Sequence, residues 1–343
     1  MVRGAQHAPG FSFPAGPGLG PVPRAPFAAG HRPPRRGRGR SVSTWRGEVL
    51  LPDFRSSPVL LSLASAVMFG LSTTLVKKGL QTIDSRLGAF ISITSTTAYL
   101  WLLEPKLMES AFWASPGIWW FAAVGLFRPV LSVNLSYAGN RLLGPTITAS
   151  VNATQPLFSA LFAVLYLREA LSLPVLAGTL AITGGIIVFS WSSRGTLRNW
   201  SRWALLFPFG AALVRSFGNV GNKAGLNLLP SAYASALVSY TVSWSMALAE
   251  FLLVSRRMKR PAVSPVGVLW FCYAGVVAGV ATLTLNAALA LGQVVIVIPI
   301  NATSPLFTLL FSFLVFRVEA FSLRVLVGVL LVVPGVVLIG LYR

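Results

Sequence analysis

The sequence predicts an all-α polytopic membrane protein whose ten transmembrane helices form two inverted five-helix repeats. Three observations predict this fold: an apolar composition, a series of bilayer-length spans after residue 57, and an internal repeat. Of the 343 residues, 55% are hydrophobic and only 10% are charged, and the mean hydropathy is +0.72. About a quarter of the residues of a soluble domain are charged. The composition therefore favours a membrane protein.

Residues 1–57 differ from the rest in being rich in Pro, Gly, Ala and Arg, with nine arginines and only two acidic residues. Such a segment cannot bury enough apolar surface to offset the entropy of ordering, so we predict a disordered, dispensable N-terminal arm. It lacks the apolar core of a secretory signal peptide, whereas a transit peptide and a nonessential leader both stay open. The arginine-rich run 32–40 has no folded nucleic-acid module around it, so membrane lipid, and no nucleic acid, is the expected partner.

Ten apolar stretches follow the arm, each close to the roughly 20 residues that a helix needs to cross a bilayer. Charges, prolines and glycines separate them, and the connections are too short for a soluble domain. Their approximate bounds are 58–80, 87–103, 116–139, 145–167, 173–191, 203–225, 231–254, 266–291, 293–316 and 322–342.

The chain repeats itself, since the heptapeptide 152–158 recurs at 301–307 with six of seven positions identical. The match extends outward in register, and further pairs are Gly79 with Gly225, Trp120 with Trp270, Gly125 with Gly275, and Glu169 with Glu319. The repeats are residues 58–192 and 203–342. Because each holds five spans, the second copy enters the membrane from the opposite side, which is typical of secondary transporters.

With these motifs the chain resembles the EamA family of the drug/metabolite transporter superfamily over residues 58–342. The motifs are the duplicated fourth-span sequence with Pro156 and Pro305, the glutamates Glu169 and Glu319, and the fifth-span glycines Gly178 and Gly328. The resemblance implies a ten-helix basket whose central cavity is lined by the first four helices of each repeat. It does not identify a substrate, because relatives of this kind move amino acids, drugs, sugars and other metabolites.

Polar residues recur at helical spacing in both fourth spans, each beside a proline that interrupts the helix. The stripes are Thr148, Asn152, Gln155 and Ser159 beside Pro156, and Asn301, Ser304 and Thr308 beside Pro305. Polar groups inside a bilayer must be satisfied, so both stripes should face the bundle interior. Helix-to-helix hydrogen bonding is the simpler interpretation of any one residue. The matched pair of stripes favours a solute cavity.

Two cations lie deep inside predicted spans: Arg128, next to Pro129, and Arg215. A mid-span guanidinium is costly unless it is paired or hydrated, so we predict that both face a cavity instead of reaching the head groups. Asn219, Asn222 and Lys223 lie within about 100° of Arg215 on a helical wheel. The predicted substrate-binding residues are Arg128, Asn152, Gln155, Arg215, Asn219, Asn222, Asn286, Asn301 and Ser304.

The acidic residues Glu104, Glu169, Glu250 and Glu319 all lie near span ends. A lipophilic cation would therefore find no central carboxylate, whereas a cationic, Asn-rich cavity suits a neutral, zwitterionic or anionic solute such as an amino acid. We predict a secondary transporter of such a metabolite, working by alternating access. A flippase for lipids or lipid-linked sugars, and a non-transporting scaffold or sensor, are the alternatives.

Enzymatic chemistry has no residues to support it, because both histidines lie in the arm and Cys272 is the single cysteine. The sequence contains no Walker motif or paired aspartates, so no catalysis, metal or cofactor is expected. We expect a multi-pass protein of the bacterial inner membrane, monomeric or homodimeric. Loop charges favour termini outside the cytosol whereas the resemblance implies termini inside, and orientation stays open.

Overall fold

Helices account for all regular structure in the residues that this computed structural model describes, which are 57–128, 130–190, 202–255, 264–316 and 323–342. The helices of the first half are α1 (Pro58–Gly79), α2 (Ser85–Leu107), α3 (Gly117–Phe127), α4 (Val130–Leu143), α5 (Pro145–Asn152), α6 (Gln155–Phe162) and α7 (Leu173–Ser190). Those of the second half are α8 (Leu206–Leu228), α9 (Ala232–Ser255), α10 (Pro265–Leu291), α11 (Val294–Asn301), α12 (Ser304–Phe311) and α13 (Leu323–Leu341). The predicted arm and the loop 256–260 lie outside the described residues.

Seven helical stretches of the described chain are long and apolar enough to cross a membrane. They are Pro58–Gly79, Gly117–Leu143, Ile147–Leu167, Trp203–Leu228, Ala232–Leu253, Pro265–Leu291 and Val294–Leu314. Two further helices, Leu173–Val188 and Leu326–Leu341, are apolar but shorter. The chain is thus an all-helical, multi-pass integral membrane protein, while the count of ten spans stays a prediction.

The serines and threonines of α2 are explained by its packing against α10. Ser92 Oγ donates to the carbonyl oxygen of Phe271 at 3.0 Å, and Thr96 Oγ1 donates to that of Gly275 at 2.6 Å. Small hydroxyl side chains commonly join helices in this way within membranes. The polar residues of α2 therefore serve helix association.

The same two bonds recur between α9 and α3. Ser239 Oγ donates to the carbonyl oxygen of Phe121 at 2.9 Å, and Ser243 Oγ donates to that of Gly125 at 2.7 Å. Phe121 and Gly125 occupy the positions in the first repeat that Phe271 and Gly275 occupy in the second. Each half therefore donates to the other half the same pair of hydrogen bonds that it accepts from it.

Whole helices follow this reciprocal pattern. Helix α10 packs against α1 and α2, whereas α3, part of its counterpart, packs against α8 and α9. Helix α12 contacts α1 as α6 contacts α8, and α7 pairs with its own counterpart α13. Such an exchange of equivalent surfaces is the property of an interface built around a two-fold axis. Residues of both halves form the main hydrophobic core.

Both fourth spans are broken at the same place. Helix α5 ends at Asn152 and α6 begins at Gln155, while α11 ends at Asn301 and α12 begins at Ser304. Pro156 and Pro305 each occupy the first turn of the second segment, where a missing N–H costs nothing. The break therefore falls directly after the asparagine of each repeat, on the N-terminal side of the proline.

The third predicted span, 116–139, is divided at Arg128. Arg128 ends α3 in an extended conformation, with φ −130° and ψ 137°, and α4 begins at Val130. A residue that precedes proline is disfavoured in the helical region, which explains the break. The hydroxyl of Ser243 in α9 donates to the carbonyl oxygen of Arg128 and fixes this point of the backbone.

We predict that Gly275→Ala destabilises the fold whereas Gly184→Ala does not. A Cβ on Gly275 would lie 2.4 Å from the carbonyl oxygen of Ser92 and 3.0 Å from Ser95 Cβ. Among the described residues, a Cβ on Gly184 would meet no atom within 4 Å. Overpacking of this kind costs roughly 1–3 kcal/mol. Gly275→Ala should therefore lower the unfolding temperature in detergent, and equal unfolding temperatures for the two variants would contradict the close approach of α2 and α10.

Candidate functional site

A cavity of about 530 Å³ lies beside the breaks of the two fourth spans, and residues of both halves line it. This volume falls within the range of roughly 300–1,000 Å³ that small-molecule sites occupy. Apolar side chains such as Leu285 and Ile298 form part of the wall. The rest of the wall is polar or cationic.

Seven of the nine predicted substrate-binding residues line this cavity. They are Arg128, Asn152, Gln155, Arg215, Asn219, Asn301 and Ser304, and the prolines Pro156 and Pro305 also contribute to the wall. The two deep arginines are therefore directed into the protein, as opposed to the lipid. That these residues bind a solute stays a prediction.

Arg128 reaches the cavity from the break between α3 and α4. Its Nη1 donates to Asn219 Oδ1 at 2.5 Å. The amide of Asn219 is oriented in turn, because its Nδ2 donates to Ser159 Oγ at 3.1 Å. The guanidinium is thus bound by a neutral amide oxygen and not by a carboxylate.

Arg215 approaches from α8 and is likewise bound by a neutral partner. Its Nη2 donates to Ser136 Oγ at 2.9 Å, and the Ser136 hydroxyl donates to the carbonyl oxygen of Ser132 at 2.9 Å. Asn152 Nδ2 also donates to Ser136 Oγ, at 3.4 Å. Ser136 therefore connects the arginine of the second half with the asparagine of the first.

The two repeated asparagines differ in their hydrogen bonds. Asn301 Nδ2 donates to Ser65 Oγ at 3.0 Å. Asn152 Oδ1 is buried and has no hydrogen-bond partner among the described residues. A buried amide oxygen without a partner loses free energy, and a bound N–H donor would restore it. Asn152 therefore brings an unpaired acceptor to the cavity wall, as counted among the described residues.

Lys77 adds a third cation to the cavity wall, and its Nζ donates to Ser312 Oγ at 3.3 Å. Sequence reasoning missed this residue, although the register that pairs Gly79 with Gly225 also pairs Lys77 with Lys223. Of the lining residues that the structure describes, none carries a carboxylate. The two arginines lie among neutral hydrogen-bonding groups of the described wall, an arrangement that attracts anions.

Two of the predicted substrate-binding residues, Asn222 and Asn286, do not line this cavity. Asn222 Nδ2 donates to Asn286 Oδ1 at 2.9 Å, and Asn222 Oδ1 accepts from Ser235 Oγ at 2.5 Å. Asn286 Nδ2 closes the ring by donating to Ser235 Oγ at 3.0 Å. Both asparagines are at most 5% exposed. This amide cluster, Asn222, Ser235 and Asn286, joins α8, α9 and α10 through mutual hydrogen bonds.

Glu169, which follows α6, holds the start of α11 in the other half. Its carboxylate oxygens accept from the backbone N–H groups of Val294 and Val295 at 2.9 and 3.0 Å. Burial raises the pKa of this carboxyl, and the two N–H donors and nearby Lys223 oppose the rise. A carboxylate at a helix N-terminus satisfies orphan donors and the helix dipole. Glu169 thus positions the helix that ends at Asn301.

Comparison with known proteins agrees with this architecture. The model of the EamA-like transporter family matches residues 56–191 and 201–341, which confirms the resemblance and the internal repeat. One solved structure, described only as the crystal structure of a protein, matches with a TM-score of 0.69 and 18% identity, covering 84% of this chain and 97% of that one. At this identity the likeness shows the fold alone. No curated protein matches the chain.

Proposed function

The chain belongs to the EamA-like transporter family, and we propose that it moves a small anionic or zwitterionic metabolite across a membrane by alternating access. The family consists of membrane transporters. It does not identify the solute, so the solute class is inferred from the cavity.

The charge of the cavity is the observation that supports an anionic group on the solute. Arg128 and Arg215 line it, and none of the described lining residues carries a carboxylate. Among the described residues, each arginine donates to a neutral oxygen, that of Asn219 for Arg128 and that of Ser136 for Arg215. A guanidinium presents a planar fork that matches a carboxylate or phosphate. The solute would then supply the missing negative charge.

The amides of the wall suit the remaining polar groups of such a solute. Asn152 offers a buried Oδ1 as an acceptor, and Gln155 and Asn301 line the cavity from the two fourth spans. A zwitterionic amino acid would donate its ammonium hydrogens to these oxygens while its carboxylate faces an arginine. The proposal therefore includes zwitterions as well as simple anions.

Alternating access is supported by the exchange of equivalent contacts between the halves. The reciprocal pairs α10 with α1 and α2, and α3 with α8 and α9, fit two inverted repeats around an axis in the membrane plane. Two halves of this kind can interchange conformations about a site at their interface.

The proposal also includes ten membrane spans, a location in the bacterial inner membrane, and a monomer or homodimer as the oligomeric state.

The non-transporting scaffold or sensor receives little support from the cavity. Such a protein would be expected to have a sealed, apolar interior, whereas two arginines, a lysine and several amides line this one. Mid-membrane cations are costly and usually belong to a solute pathway. A flippase shares the scaffold, but no specific contact among those described favours a lipid substrate.

We predict that small anions and zwitterions, but not cations, stabilise the purified protein. The test compares the unfolding temperature in detergent without ligand and with succinate, glutamate, serine or choline. Ligands that bind the folded state raise its stability in proportion to the logarithm of their concentration. Succinate, glutamate or serine should raise the unfolding temperature, and choline should leave it unchanged. Stabilisation by choline, together with none by the anions and zwitterions, would contradict the proposed solute class.

A further inference from the structure

The side chain of Arg128 crosses the surface of α8 before it enters the cavity. Its backbone is fixed at the break between α3 and α4 by the hydroxyl of Ser243. Its guanidinium ends at Asn219 in α8. The aliphatic stem between these two fixed points passes over the residue that precedes Asn219, which is Gly218.

Gly218 leaves the space that this stem occupies. A Cβ added to Gly218 would lie 2.5 Å from Arg128 Cδ, 3.1 Å from Cγ and 3.9 Å from Nε. Real Cβ atoms do not approach a carbon at 2.5 Å, so an alanine here would force the stem to move. The three atoms closest to the added Cβ all belong to Arg128. The substitution would therefore act first on the arginine.

Its place in the helix makes this glycine informative. Gly218 lies in the interior of α8, where glycine is less favourable than alanine because it loses more backbone entropy. The close approach of Arg128 supplies a physical reason for glycine at this position. Gly210, in the same helix, is the matched control: among the described residues, an added Cβ would meet only Leu135 Cδ1, at an ordinary 3.7 Å.

We propose that Gly218 is a positioning residue for solute recognition, because its missing side chain sets where the Arg128 guanidinium lies in the cavity. The proposal rests on the proposed function, since it assumes that Arg128 faces a negatively charged group of the solute. Gly218 itself needs no contact with the solute. Its role is to let the arginine reach Asn219 and present its remaining N–H donors to the cavity.

The experiment compares Gly218→Ala with Gly210→Ala in the full-length protein, with succinate as the probe. The measured quantity is the dissociation constant of succinate, obtained by fitting the unfolding temperature as a function of succinate concentration. We expect this constant to increase about tenfold for Gly218→Ala, the effect of weakening one charge-assisted contact. Gly210→Ala should leave it unchanged. A wild-type value for folded Gly218→Ala would overturn the proposal.

A second comparison separates positioning from general packing. In an Arg128→Ala background the clashing stem is absent, so Gly218→Ala should have no further effect on succinate binding. If Gly218→Ala alone folds poorly, the double variant should recover the lost unfolding temperature for the same reason. Additive effects of the two substitutions on succinate binding would overturn the proposal.

The same variants distinguish this proposal from the proposed function. If Arg128→Ala weakens succinate binding while Gly218→Ala does not, the anion site stands and only the role of Gly218 is wrong. If neither succinate, glutamate nor serine stabilises the wild-type protein, the proposed function fails and the role of Gly218 fails with it.

Discussion

Arg215→Leu is expected to reduce solute transport at least about a hundredfold while the protein stays folded. The guanidinium lines the cavity, and its hydrogen-bond partner among the described residues is the neutral Ser136 hydroxyl, so its charge is available to an anionic group. Losing a charge-assisted, bidentate contact of this kind costs roughly 3 kcal/mol, which is about a hundredfold in binding. Leucine is well tolerated inside a membrane helix, so the fold should not suffer. The measurement is uptake into proteoliposomes of whichever probe stabilises the wild type.

Arg215→Lys provides the chemical control. Lysine keeps the positive charge but loses the planar fork, so transport should fall about tenfold instead of vanishing. Arg141→Leu provides the positional control, because Arg141 is exposed near the end of α4. It should leave transport unchanged. Wild-type transport by Arg215→Leu would show that the cation has no part in recognition. Arg215 would then be interpreted as a cation that reaches the lipid head groups.

The repeated sequence was sufficient to predict much of the cavity. Because 152–158 and 301–307 are nearly identical, Asn152 and Asn301 could be paired and expected on inward faces. Arg128 and Arg215 were found by a different rule, the cost of a cation at mid-span. Both rules concern a single helix and its solvent, which is why one sequence was enough to apply them.

The residues that sequence reasoning missed or misplaced depend on which helices are neighbours. A helical wheel put Asn222 on the same arc as Arg215, but it could not show that α9 and α10 cover that part of α8 and engage the amide. Glu169 was recognised as a repeated residue at a span end. Its two bonds to α11 join positions 125 and 126 residues apart along the chain, and no local pattern predicts such a contact.

Lys77 could have been predicted, because the register of the repeat pairs it with Lys223. The two lysines nevertheless lie in different environments. Lys77 lines the cavity, whereas Lys223 Nζ donates to the carbonyl oxygen of Leu289 at 2.6 Å, near the C-terminal end of α10. A cation there complements the helix dipole. Repeat symmetry therefore indicates where a residue lies on its own helix, and the partner helix decides its role.

Asn152→Leu and Asn222→Leu are expected to have different effects, the first on solute binding and the second on stability, although both replace an amide by a side chain of similar size. Asn152 lines the cavity, and its Oδ1 has no partner among the described residues. Asn152→Leu should therefore fold normally and bind the solute with a dissociation constant about tenfold higher. Asn222 is 5% exposed and exchanges hydrogen bonds with Asn286 and Ser235. Asn222→Leu should lower the unfolding temperature and the monodisperse yield.

The difference follows from the partners that each substitution leaves behind. Removing Asn222 takes one hydrogen-bond partner from the Asn286 carbonyl and one from the Ser235 hydroxyl in the protein interior. The loss of stability is roughly 1–3 kcal/mol for each buried polar group that is left unsatisfied. Replacing all three members by apolar residues, as in Asn222→Leu with Ser235→Ala and Asn286→Leu, removes the stranded groups and should recover part of the loss. The protein that remains folded should bind the solute normally, because the cluster does not line the cavity. If Asn222→Leu weakened binding at unchanged stability, the amide would belong to the solute site, as its position beside Arg215 on the helical wheel had suggested.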